Sequence, residues 1–133
     1  MRRLSAILLL AIFCVVAPGC GRRELPAGSD RRAFDAEQWQ IDGSFHPPQN
    51  GGLTVRQEML VDLVTRVLPG KSRSEIESLL GPSLVTPHFS RMTHDLIYFL
   101  GPESDSYIQM DSDWLLIWLG PQERFQRYQL VSD

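Results

Sequence analysis

Apolar and polar positions change rhythm several times along this chain, and each change marks an element. Residues 4–16 are almost wholly apolar. From 21 to 52 apolar side chains are sparse, and Pro26, Pro47 and Pro48 are interspersed with Gly21, Gly28, Gly43, Gly51 and Gly52. Such a stretch buries too little to offset the entropy of ordering it, so residues 20–53 are expected to form a flexible tether. Within it, Ser29 or Asp30 is placed to cap a short helix over 33–39. Phe34 and Trp39 on that helix would dock on the domain or on a partner; a transient turn in a mobile arm is the alternative.

The folded domain is expected over residues 54–133. Thr54 and Gln57 have the spacing of a capping box. Apolar residues then recur at Val55, Met59, Leu60, Leu63, Val64, Val67 and Leu68, one stripe of an amphipathic helix that Pro69-Gly70 ends. Arg56, Glu58, Asp62, Thr65 and Arg66 fall on its polar side, where Arg56→Ala is expected to be nearly silent. Ser72 and Glu75 make a second capping box, Ile76, Leu79 and Leu80 an apolar edge, and Gly81-Pro82 a stop. Three strand patterns follow: 95–100, 114–119 and 125–131, with Gly101-Pro102 and Gly120-Pro121 as breakers. Residues 107–110 add a short fourth strand or extend the second. Short connections favour antiparallel pairing. The expected fold is α+β, two helices on one face of a three- or four-stranded meander, in the order ααβββ. Trp114 and Trp118 share a strand face with Leu116. That face is expected to be core, and becomes an exposed aromatic patch if the helices cover Leu115, Ile117 and Leu119 instead.

The apolar run near the start changes the picture from fold to location. Arg2 and Arg3 precede it, Ala17-Pro18-Gly19-Cys20 closes it, and it is shorter than the roughly twenty residues of a spanning helix. It has the layout of a secretory signal, and its exit resembles the lipobox of bacterial lipoproteins, which implies acylation of Cys20 after removal of residues 1–19. An ordinary cleaved signal with an incidental cysteine is the alternative. Cys14 leaves with the signal, so Cys20 is the one thiol of the mature chain and has no disulfide partner. Gly21 follows it where Asp would imply inner-membrane retention, which favours the periplasmic face of the outer membrane. Without Arg2 and Arg3 the 13 basic residues fall to 11 against 16 acidic, a net charge of −5 with His neutral. That balance argues against a nucleic-acid partner.

Gly70, Ser72, Glu75, Ile76, Leu79, Leu80 and Gly81 resemble the signature of the SmpA/OmlA (BamE-like) lipoprotein domain family, and the strands containing Tyr98 and Trp118 follow in the family's order. The resemblance runs over residues 68–131. It implies an envelope lipoprotein with a role in outer-membrane protein assembly or envelope integrity.

Candidate chemistry adds little. Gly70-Lys71-Ser72 ends like a phosphate-binding loop but lacks its first glycine and its preceding strand. His46, His88 and His94 lack metal-site spacing, and His88, His94 and Asp95 could at most meet across a loop. Asp111 and Asp113, with Glu103 and Asp105, form an acidic cluster that reads as a solvated turn; a small hydrolase using Asp111 and Asp113 is the weakest alternative. No cofactor is expected. The chain reads as a non-catalytic binding or scaffold module, anchored in the membrane through Cys20, with another envelope protein as partner. Phe125, Tyr128 and Leu130 on the last strand, or Trp39 on the arm, would provide the contact. A small periplasmic enzyme inhibitor or ligand-binding protein is the competing reading.

Overall fold

The computed structural model describes residues 23–49, 51–103 and 111–133. The signal segment, Cys20 and the 107–110 strand lie outside them. Among the described residues the fold is α+β: short helices lead, and a three-stranded antiparallel sheet follows in the order β1-β2-β3. The strands are β1 (Leu96–Pro102), β2 (Ser112–Leu119) and β3 (Phe125–Ser132). The helices are α1 (Ala36–Gln40), α2 (Val55–Glu58), α3 (Leu60–Asp62), a π-helical turn over Leu63–Val67, and α4 (Arg73–Leu80). No helix among the described residues is long and apolar enough to cross a membrane.

The tether expected over 20–53 is corrected from Arg23 onward, because the arm is part of the folded body. Trp39 is fully buried and joins Met59, Leu60, Leu80, Tyr98 and Leu115 in the main core. Asp35, rather than Ser29 or Asp30, caps α1, accepting from the Gln38 N–H. The side chain of Gln40 then donates to the carbonyls of Ser78 and Leu79 at 3.1 and 2.9 Å, satisfying two of the C-terminal acceptors that α4 leaves open.

The arm also explains why the helix expected over 54–68 is broken. Its N-terminus forms as the spacing predicts, with the capping box of Thr54 and Gln57 complete. An uninterrupted helix would then bond Asp62 N–H to Glu58 O and Val61 N–H to Gln57 O. Instead Glu58 O accepts from Arg32 N–H, and Val61 N–H donates to Ser29 O, at 3.1 and 3.0 Å. Arm backbone has replaced helix backbone in the ladder. Past the break, Leu68 N–H reaches back five residues to Leu63 O, and Thr65 Oγ1 donates to Val61 O. The second helix needs no correction. Ser72 and Glu75 form a capping box, and Gly81 ends α4 at φ 82°.

Both faces of the sheet are covered. The helices pack on Leu96, Tyr98, Leu115, Ile117 and Leu130. The Trp114 and Trp118 face therefore looks away from them, yet it is not an exposed patch. It forms a second core with Ile97, Leu116 and Val131, over which residues 83–95 place Phe89 and Met92. Trp118 Nε1 donates to Thr93 Oγ1 at 3.0 Å, and Arg127 lies 3.8 Å over the Trp118 ring. Gly101 sits where the arm crosses β1. A Cβ there would lie 2.5 Å from Thr54 Cγ2 and 2.7 Å from Phe45 O, and its φ is 122°. The strand runs through this glycine with a register shift between Phe99 and Gly101, rather than stopping before it.

Asp62 ties arm to helix with a pH dependence. It accepts from Arg66 Nε and Nη2, both at 2.7 Å, and from the Phe34 N–H at 2.6 Å. The Arg66 hydrogen bonds, then that of Phe34, hold its pKa at about 2 against an ordinary 3.8. A depressed carboxylate pKa contributes stability that is complete above 3.8 and is lost as the pH falls through about 2. Asp62 is only partly covered and its partner Arg66 is exposed, so screening keeps the contribution small. Acid melting curves of the wild type should fall more steeply across that window than those of Asp62→Asn. Parallel curves would show that the contact contributes nothing.

Candidate functional site: an apolar groove beside Arg56

An opening of about 430 Å³ lies where the arm, the end of α4 and the outer edge of β1 meet. The turn after α4 supplies Pro82 and Leu84, the arm supplies Phe45 and Gln40, and the sheet supplies Tyr98, Phe99 and Trp114. The aromatic rings are in contact: Phe45 to Phe99 at 5.5 Å and Phe99 to Trp114 at 4.9 Å, both edge-on. Leu84 is 47 % exposed at the rim, and Val85 beside it is fully exposed. Backbone bonds fix that rim, since Leu84 N–H donates to Ile97 O and Ser83 Oγ accepts from Ile97 N–H.

Arg56 lines this groove, not the polar side of a helix. Its Nε donates to Trp39 O and Ser44 Oγ at 3.1 and 2.9 Å, and one Nη donates to Phe99 O at 2.8 Å. Its guanidinium lies 4.8 Å from the Trp39 ring centre and 5.1 Å from that of Phe45. Burial lowers its pKa to about 10, which leaves it cationic at neutral pH. Arg23, Arg32, Arg66 and Arg73 each pair with a carboxylate, whereas Arg56 meets none among the described residues. Tyr98, also in the wall, donates its hydroxyl to Gly81 O at 3.0 Å, and burial raises its pKa. Trp114 Nε1 is buried with no hydrogen-bond partner among the described residues.

The residues singled out from sequence lie elsewhere. Trp39 is fully buried and cannot meet a partner. Leu130 is 3 % exposed in the main core, and Phe125 and Tyr128 pack half-buried against the same core. The β3 edge is closed at both ends, where Phe125 N–H donates to Lys71 O at 2.8 Å and Leu130 O accepts from Arg23 N–H at 3.0 Å. Asp113 is 4 % exposed and is not a solvated turn residue. It accepts from Arg23, Gln57 and Ser132, so its lone pairs serve the fold. His88 packs 5.7 Å from Trp114 and His94 6.3 Å from Trp118, and burial lowers the His94 pKa. The described residues hold no group of three or more His, Cys, Asp or Glu suited to a metal ion. Lys71 and Ser72 are the turn and N-cap of α4.

No family model, curated protein or solved structure matches this chain. The groove therefore has to be interpreted from its own chemistry. Sequence reasoning missed it because Arg56 sits in a polar stripe by helical spacing. Only the docking of the arm turns that stripe inward.

Proposed function

We propose that this chain is a BamE-like lipoprotein of the bacterial cell envelope, acylated on Cys20 and held at the periplasmic face of the outer membrane. Its folded part acts as a non-catalytic binding module that takes an apolar, carboxylate-bearing segment of another envelope protein. The observation that carries the binding reading is Arg56, half-buried in a mainly apolar groove and facing no carboxylate among the described residues. A buried cation is costly unless something negative meets it, and the aromatic wall offers apolar contact beside the charge. Partner residues supplying both would gain from both. The envelope reading rests on the segment ending at Cys20, and the BamE-like reading on the second capping box with Gly81 ahead of a meander. Asp113, fully engaged by Arg23, Gln57 and Ser132, speaks against the hydrolase alternative.

A photoreactive amino acid at Leu84 should capture a partner in cells, and the same group at Gln126, on the exposed start of β3, should not. Leu84→Asp should abolish co-purification of that partner while the melting temperature stays near the wild-type value, since only the backbone of Leu84 is hydrogen-bonded. Equal capture from both positions would place the binding surface elsewhere. The volume also falls in the range of small-ligand sites. A small apolar acid that competes with the Leu84 adduct would favour the ligand-binding alternative.

A further inference from the structure

The way the arm begins dictates how the body meets a bilayer. Arg23 is the first described residue, and it is fixed. Its N–H pairs with Leu130 O at 3.0 Å in an antiparallel bridge to β3. Its Nη1 lies 2.6 Å from Asp113 Oδ1, 2.8 Å from Glu103 Oε1 and 3.0 Å from Ser132 Oγ. The Arg23 and Asp113 side chains are 19 % and 6 % exposed. Breaking so protected a pair is strongly unfavourable. Just beyond, Leu25 packs on the main core.

Cys20 precedes Arg23 by three positions. A chain advances at most about 3.6 Å per residue, so the two Cα atoms lie within about 11 Å of each other. A flexible tether of some thirty residues would instead spread that separation over roughly 30 Å. We propose that the body stands directly on the bilayer, with the end of the sheet formed by Pro102, Glu103, Ser112, Asp113 and Ser132 turned toward the lipid surface. This orientation rests on the proposed acylation of Cys20. The surface of that end carries Glu103, Asp111 and Asp133, with Asp113 buried against Arg23, so the covalent link and not charge attraction imposes the apposition. The opposite end, where β3 begins, lies about 20 Å farther along the strands.

The test uses the full-length protein, acylated in cells and reconstituted into phosphatidylcholine vesicles carrying a few nickel-chelating lipids. Nitroxides are placed at Asp111→Cys and, separately, at Gln126→Cys, both exposed positions remote in sequence from the arm. Nickel should enhance relaxation several-fold more at 111 than at 126. Inserting twenty Gly/Ser residues after Gly21 should erase the difference while the protein stays on the vesicles. Equal enhancement at the two positions in a vesicle-bound protein would overturn the orientation alone. If the protein does not float with the vesicles, acylation itself fails and the orientation with it.

Discussion

Replacing Trp39 with Ala should lower the unfolding free energy by about 3–5 kcal/mol, the range for truncating a large buried aromatic. The ring is fully buried, packs 6.1 Å from Phe34, and carries the Arg56 guanidinium on its face. A domain of this size has about 5–15 kcal/mol in hand, so the variant should melt far below the wild type or be unfolded at room temperature. Urea titration followed by tryptophan fluorescence would measure it, since Trp114 and Trp118 remain as reporters. A chain starting at residue 53 should fare worse. It loses Trp39 together with the Ser29 and Arg32 backbone partners of the helix. A midpoint for Trp39→Ala close to that of the wild type would mean that the arm rests on the body without supporting it.

Arg56→Ala should cost about 2–4 kcal/mol, contrary to the silence its helical position suggests. Hydrogen bonds made by a charged group contribute about 1.5–3 kcal/mol, and a desolvated cation over an aromatic ring adds about 1–2. Against these stands the relief of removing a desolvated cation, which keeps the total below their sum. Arg56 makes three such bonds, to Trp39 O, Ser44 Oγ and Phe99 O, and so joins the arm to β1. Arg56→Lys keeps the charge but not the planar fork, and should recover less than half of the loss. Equal stability of Arg56→Ala and wild type by chemical denaturation would show that the clamp is dispensable and that its charge serves only the groove.

The parts of the fold that depend on neighbours in sequence were legible. The capping boxes at Thr54 and Ser72 and the stop at Gly81 rest on contacts a few residues long, which spacing reports directly, and the three strands show as runs of strand formers between breakers. The antiparallel meander follows from the short connections between those strands. What spacing cannot report is a hydrogen bond from Ser29 or Arg32 into a helix some thirty residues away. Hence the arm read as a tether, the helix as continuous and Arg56 as solvated. These three errors have one physical origin. The Trp114 and Trp118 pair shows a milder version: period two identified their shared face, but not that residues 83–95 would fold over it. The groove was hidden for the same reason as the arm, since its walls come from five separate stretches of chain.

The bridge between Arg23 and Leu130 joins the first described residue to the last strand. Closing so long a loop carries a large entropic cost that only late, non-local contacts offset. The start of the arm cannot close onto the sheet until β3 exists, whereas Ser29, Arg32 and Gln40 meet helices that come earlier in the chain. A chain emerging N-terminus first therefore makes this one closure only when its last strand is delivered. If the chain is exported as proposed, this last clasp closes only after the whole chain has crossed the membrane.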